Sequence, residues 1–467
     1  MGRINKYGRV FFCFILFMFI FTCRGAEALE KAPAGPGTIR VGLAQQAPQA
    51  DFSIAGNYEL IDVPGRKTIA FLKSNERWQI RPQNGRLALY KNGLFIKTFP
   101  GPLQVRENLY PVAILSGSGQ IKSRSAGEEL VILGANGVSS SVGKDLSGLH
   151  ILSARGQAPL LPAEGLNLIT LYNEDGGRRY RGGMEFRADE KGLTVINELP
   201  LEEYLYGVVP AEMPAAWPAE ALKAQAVAAR SYALAQSQSG AYGNCGFDVL
   251  ATQSSQVYKG YDWENPATSK AVDDTRGVIL TYRGQPVNAL FHSSSGGFTE
   301  NSEDVWKYPL DYIRARPDPD DRNEKHYNWQ VSYSQEQLVE QLNKKDYQFK
   351  EVYDLIELER TSTGKRVKRL AVKGLKKEGA AVAEEICNAD RVRVALGLKS
   401  AFFTMQKEYD QQHKLTKVVF RGNGWGHGLG MSQYGARGLA QKGYSYQDIL
   451  KYYYSGVVIS RNYGGQG

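Results

Sequence analysis

Glu212 sits between two prolines, in Val208-Val209-Pro210-Ala211-Glu212-Met213-Pro214, with Trp217 close behind. Paired prolines stiffen the backbone that presents the carboxylate. Apolar neighbours disfavour its charged form, which raises its pKa and suits it to donate a proton near neutral pH. A turn cap, or an ion pair with an arginine such as Arg230, would use the same residue types equally well. A second segment runs from Phe291-His292-Ser293-Ser294-Ser295-Gly296-Gly297 through Glu300 to Ser302. Small hydroxyls, two glycines and a carboxylate after a strand make either a loop that brings donors close to a polar ligand or a plain serine–glycine turn. The third is Gly424-Trp425-Gly426-His427-Gly428-Leu429-Gly430-Met431-Ser432-Gln433-Tyr434-Gly435, where alternating glycines free the backbone around one histidine. His427 there could orient a carboxylate, bind a substrate hydroxyl or serve as a satisfied structural histidine. Other constellations fail. The chain has no G-x-S-x-G elbow, no phosphate-binding loop and no H-E-x-x-H pair. The acidic run Asp318–Asp321 lacks the spacing of a calcium loop and reads as a solvated turn.

The elements that must hold these segments divide in two. Up to about residue 190 the sequence reads as short strands, among them Ile39–Leu43, Thr68–Leu72, Leu87–Tyr90, Leu94–Phe99 and Leu193–Ile196, with Asn92-Gly93 as a hairpin turn. Ser116–Lys122 and Gly134–Gly143 read as loops. From Glu198 the character changes. Glu202–Val209 begins a helical patch that Pro210 ends or turns, and Trp217-Pro218 opens an alanine-rich helix to Gln236, predicted to be buried at the centre. Strands follow at Gly277–Tyr282 and Val287–Phe291. Residues 334–344 and 387–398 read as helices around a charged β-hairpin region, and Ser432–Lys442 and Tyr446–Tyr454 as two short helices, the second opened by a Ser445/Asp448 capping box and stopped by Gly456. The expected fold class is α+β: a β-rich N-terminal region (29–190), then a mixed catalytic domain (191–460) built around the alanine-rich helix.

Composition and the N-terminus bound the setting. The 467 residues include 50 glycines and 27 tyrosines against 18 phenylalanines and 6 tryptophans. Many turns and strands are implied, with tyrosine suited to sugar surfaces and wet interfaces. A disordered, collagen-like or coiled-coil chain is excluded. Arg3, Lys6 and Arg9 precede an apolar run from Val10 to Phe21 and an Ala26-Glu27-Ala28 cleavage pattern, the layout of an export signal over residues 1–28. The expectation is an exported chain, either processed or anchored by an uncleaved signal. Removal of the signal lowers the net charge from +9 to +6, modestly basic and suited to an anionic envelope polymer. No basic stripe interleaved with aromatics points to nucleic acid. Of the four cysteines only Cys245 and Cys387 would remain, too few for a disulfide scaffold.

Taken in order, five segments resemble the stage II sporulation protein D (SpoIID/LytB) family. They are Leu201-Glu202-Glu203-Tyr204 through Pro214, Glu220 through Arg230-Ser231-Tyr232, Gln256-Val257-Tyr258, the serine–glycine loop to Asn301-Ser302, and Gly424 to Gly435. Together they cover about residues 190–458. The resemblance implies a lytic transglycosylase that cleaves between N-acetylmuramic acid and N-acetylglucosamine in peptidoglycan stripped of stem peptides. It implies partners too, a cell-wall amidase and membrane engulfment proteins, since relatives include amidase enhancers. The family's catalytic glutamate falls on Glu212. Arg230, Tyr258, Ser293, Ser294, Ser295, Glu300, His427, Gln433 and Tyr434 lie in the matching segments as candidate substrate contacts. Some relatives hold zinc through histidine and cysteines after the helix. Here Cys245 is the one cysteine in that region and Ser255 precedes Gln256-Val257-Tyr258, so no metal or other cofactor is expected.

The chemistry of the residues agrees with the resemblance. A glycoside hydrolase ordinarily uses two carboxylates. A lytic transglycosylase can use one, as acid toward the leaving oxygen and then as base toward the sugar's own 6-hydroxyl. The competing expectation is a glycan-binding module that stimulates an amidase, with Glu212 a ligand contact only.

Overall fold

The structure, a computed structural model, describes residues 37–107 and 166–461 apart from positions 175, 190, 323, 324 and 326, and between 108 and 165 the backbones of six short strands. The signal segment and most of the two loops expected between 116 and 143 lie outside the described residues. Within the second of those loops, Ser139–Val142 pairs as a strand with Leu130–Leu133, so that part is hairpin rather than loop.

Two sheets occupy the N-terminal region, antiparallel except where the short strand Val249–Leu250 pairs parallel with Thr38–Ala47. Thr38–Ala47 pairs with Gly192–Pro200, which continues through Gly183–Asp189, Leu103–Glu107 and Tyr58–Asp62 to the edge strand Lys67–Phe71. The second sheet orders Gly176–Tyr180, Leu168–Asn173, Ala50–Ala55, Trp78–Gln83, Arg86–Lys91 and Leu94–Phe99. Alternation buries one face of these strands, as in Ala50, Phe52 and Ile54, and Phe52 stacks on Phe186 at 5.2 Å between ring centres. The Asn92-Gly93 turn takes positive φ at both residues (50° and 80°), the primed turn its sequence suggests.

Eight helices are found among the described residues, and those that matter for the site come from residue 201 on. Helix α1 (Leu201–Glu212) runs three residues past the expected stop, with Pro210 inside it. Proline costs the ladder one N–H, but this close to the end the helix still closes, and Met213 donates to the Val209 carbonyl at 2.9 Å before the chain turns extended. Helix α2 (Ala219–Ser239) is the alanine-rich one. Its small side chains let α1, α3 (Pro266–Asp274), α7 (Gln433–Gln441) and α8 (Tyr446–Tyr453) close around it, and from Ala224 to Ala233 every residue is buried. The capping box at Ser445/Asp448 forms, while α8 ends at an extended Tyr454, before the Gly456 turn.

One hydrophobic core runs without a break from the N-terminal strands (Ile39, Val41, Phe186, Val195) into α1, α2 and α8. A second core, around Trp329, Leu342, Leu355, Val372 and Phe420, belongs to an inserted lobe. That lobe carries α5 (Gln335–Asn343), α6 (Ala389–Ala395), the strands Phe349–Arg360, Val367–Lys376 and Ala381–Cys387, and a sheet of Asn328–Ser334, Leu415–Asn423 and Phe403–Tyr409. The mixed α+β class holds, rich in strand.

Candidate active site

Glu212 is the last residue of α1 and faces a cleft of about 350 Å³. The two prolines and the turn between α1 and α2 fix its backbone. Its carboxylate is held at both oxygens: the Val257 N–H donates to Oε1 at 2.9 Å, and Gln433 Nε2 donates to Oε2 at 3.3 Å. Gln433 itself is buried and also reaches Gln225 Oε1 of α2 at 3.4 Å. Burial lifts the Glu212 pKa above the usual carboxylate range, and the two donors only partly offset it. Arg230, the arginine offered as a partner, is elsewhere. It is enclosed and clamps Glu202 with two bonds of 2.9 and 2.6 Å.

Among the described residues Glu212 is the one carboxylate lining this cleft. Around it lie Tyr232, Ser254 and Ser255 on one side, and His292 and Ser293 on another. The inserted stretch and the glycine-rich segment complete the wall with Trp306, Arg393, Trp425 and His427. The exposed Trp425, the half-buried Trp306 and hydroxyls beside a carboxyl acid suit a sugar, whose rings are apolar on one face and hydroxylated at the rim.

The second and third sequence segments meet here. Phe291–His292 and Met431–Ser432 form a short parallel pair, and Ser294 and Trp425 exchange backbone bonds at 3.0 and 2.8 Å. The alternating glycines permit this approach: a Cβ on Gly424 would lie 2.6 Å from the Gly296 nitrogen, and Gly424 has φ 76°. His292 and His427 stand 5.4 Å apart with Leu429 bridging them. The Leu429 N–H donates to His427 Nδ1 at 2.9 Å, while His292 Nδ1 faces the Leu429 carbonyl at 3.0 Å. Burial keeps both rings neutral, His427 down to about 4 and His292 well below its ordinary value.

The candidate contacts therefore separate. Ser293, His427 and Gln433 line the cleft. Tyr434 flanks it, its ring edge-on to Trp217 at 4.8 Å. Ser294 and Ser295 turn away and, with the Gly296 N–H, donate to Asp321 Oδ2 at 2.8, 3.0 and 2.8 Å. The expected solvated turn at Asp318–Asp321 is corrected by this: both Asp318 and Asp321 are buried, because Asp321 anchors the serine loop and Asp318 accepts from the Tyr453 hydroxyl. Glu300 is fully enclosed, bound by Thr361, Thr363 and the Arg366 guanidinium at 3.1 Å. Tyr258 is buried with its hydroxyl on Asn197 at 2.9 Å. With no lining position and with hydrogen bonds to protein partners, in the case of Glu300 through Oε1 alone, Arg230, Tyr258, Ser294, Ser295 and Glu300 hold the frame of the cleft. Sequence reasoning missed the Val257 N–H, His292, Trp306 and Arg393 as cleft wall; an aromatic between glycines at Trp425 was the one local sign.

A zinc of the kind some relatives hold finds no fitting donor set. Among the described residues no three His, Cys, Asp or Glu side chains converge, and neither Cys245 nor Cys387 is in a disulfide.

Comparison with known proteins agrees with the layout. Residues 189–282, which carry Glu212 and α2, match the family model described as stage II sporulation protein. Residues 306–430 match a domain of unknown function. The chain is 34% identical over 278 residues to stage II sporulation protein D of Bacillus subtilis (strain 168), spanning 57% of this chain and 76% of that protein. It is 35% identical over 282 residues to stage II sporulation protein D of Bacillus amyloliquefaciens, spanning 57% and 75%. It is 32% identical over 300 residues to the amidase enhancer of Bacillus subtilis (strain 168), spanning 55% of this chain and 40% of that one. With about a third of its residues identical across three quarters of the length of two stage II sporulation protein D chains, and with the matching model spanning Glu212 and α2, the chain belongs to the stage II sporulation protein D family.

Proposed function

We propose that the chain is a peptidoglycan lytic transglycosylase, acting on glycan strands stripped of stem peptides, in sporulation or cell-wall remodelling. The observation that carries this is the lone lining carboxyl, Glu212, kept in reach of protonation by burial. Protonated on Oε2, it gives its proton to the glycosidic oxygen as the bond to the muramyl C1 breaks. The resulting carboxylate then takes the proton of the same sugar's 6-hydroxyl as that oxygen closes on C1, leaving a 1,6-anhydro end and consuming no water. Val257 and Gln433 steady the carboxylate between the two steps, and Trp306 and Trp425 offer ring faces for the sugars.

On this reading the protein is exported and works in the cell envelope, processed or held by its N-terminal apolar segment. It would act beside a cell-wall amidase, which strips the strands, and membrane engulfment proteins. Digestion of purified stripped strands, with mass analysis of the ends, tests the reaction. Wild type should give 1,6-anhydro ends and Glu212→Gln should lose about 10²–10⁴-fold in rate while still binding glycan. Reducing ends would make it a hydrolase. Uncut strands with wild type, alongside stimulation of an amidase, would favour the second reading, a glycan-binding enhancer, which the 32% identity to the amidase enhancer supports.

A further inference from the structure

A second and larger hollow, a groove of about 650 Å³, lies on the inserted lobe. Its polar rim is made by Asn328, Gln330, Lys365, Arg421 and Asn423, over aromatic surface from Trp329 and Phe402. Its size falls within the range of ligand sites, about 300–1,000 Å³. Among the described residues no carboxylate lines it. Arg360 also borders the groove, but Glu357 answers its charge through two bonds of 2.7 Å.

Arg421 is different. Its Nε and Nη1 are held by the neutral amide oxygens of Gln330 and Gln406, each at 3.0 Å. Amides orient a guanidinium without cancelling its charge, so this fork is aimed and left electrically open. Among the described residues Lys365, on the same groove, has no ion-pair partner either; its Nζ lies 5.9 Å from the Phe298 ring. One oriented guanidinium, one exposed ammonium, side-chain amides and aromatic faces together fit a polymer that is both sugar and anion. The groove also borders the cleft of Glu212. Asn423 lines the one and Trp425 the other, two residues apart. Their Cα atoms are separated by at most about 7 Å.

We propose that this groove is a distal subsite for an anionic glycan strand, holding sugars beyond the bond that Glu212 breaks; the proposal rests on the reading of that cleft as glycan-cleaving. A muramyl strand without stem peptides carries a free lactyl carboxylate on every second sugar. Arg421 and Lys365 bind those carboxylates, and the inserted lobe thereby favours long carboxylated strands over short ones.

The test measures binding alone, by titration calorimetry on Glu212→Gln protein so that no strand is consumed. The probes are stripped strands of six disaccharides, single disaccharides, and the same strands with their carboxyls reduced to alcohols. Arg421→Gln with Lys365→Gln should lower affinity for long strands roughly tenfold, from two exposed charge-assisted contacts, and leave the disaccharide unmoved. Carboxyl-reduced strands should bind the parent protein as weakly as intact strands bind the double variant. Lys417→Gln, on the same strand but paired with Glu408, removes a like charge outside the groove and should change nothing. Unchanged long-strand affinity in the double variant overturns the proposal. So does tighter binding of a glycerol-phosphate polymer than of carboxylated glycan. Failure of the cleavage reading is seen separately, as intact strands after digestion with wild type.

Discussion

Replacing Gln433 by methionine should push the Glu212 carboxyl higher still, and carry the alkaline limb of glycan cleavage with it. Gln433 donates to Oε2 at 3.3 Å and shares its amide with Gln225 at 3.4 Å. Hydrogen bonds to charged groups contribute about 1.5–3 kcal/mol. A long, shared one belongs below that range, at about 1 kcal/mol. At 1.36 kcal/mol per pH unit, its loss raises the pKa by about 0.7. Methionine has a similar volume and is apolar, so the added desolvation acts in the same direction. The Val257 N–H at 2.9 Å stays in place and keeps Glu212 positioned. The acid step needs the protonated carboxyl, so activity that falls as pH rises should fall later in the variant. The assay is the initial rate of strand cleavage from pH 4 to 9, for wild type and Gln433→Met, with melting curves to confirm that both are folded. A limb that stays put or moves to lower pH would refute the assignment of Glu212 as the titrating acid.

Two further outcomes follow from buried charge. Glu202→Ala leaves the Arg230 guanidinium enclosed without its carboxylate, and should lower unfolding stability by about 3–5 kcal/mol, read as a shifted denaturant midpoint; an unmoved midpoint would mean the pair is not formed. Asp318 is raised to about 7 by burial and by the neighbouring Asp321 charge. Its folded pKa lies above the unfolded value of 3.8, so its stabilising contribution is complete below about pH 4 and is lost as pH rises through 7. Asp318→Asn should therefore stabilise the protein by a few kcal/mol at pH 8 and little at pH 4, and equal effects at both would count against it.

How much of this could be read from the chain depends on distance along it. Pro210, Pro214 and the run of alanines sit beside Glu212, so local propensity announced both the helix and the rigid presentation of the acid. The capping box at Ser445 and the Asn92-Gly93 turn were legible for the same reason. Partner choice was not. Nothing near Arg230 distinguishes Glu202 from Glu212 as its mate, and nothing near Ser294 shows that Asp321 will take its hydroxyl. Those pairings are settled by packing of elements tens of residues apart. Arg393 was invisible for a related reason: it looks like any helix-surface arginine, paired to Asp390 three residues before, until the inserted lobe brings it to the cleft. The alternating glycines were seen correctly as backbone freedom, but their use, a close crossing with Ser294–Gly296, is a tertiary fact.

The pairing of Asn328 with Asn423 bears on how the protein assembles itself. The parallel contact between Phe291–His292 and Met431–Ser432 joins stretches about 140 residues apart. Closing a flexible loop of that length costs roughly 4 kcal/mol from (3/2)RT ln n. The inserted lobe has its own core, and the Asn328–Asn423 bridge ties its two ends together. Once that lobe is folded, the loop still to be closed is about a third as long, and the entropic cost falls by about 1 kcal/mol. The insertion thus works as a staple during folding. A folded insertion therefore makes the wall that faces Glu212 easier to join to the rest of the chain than an unfolded one does.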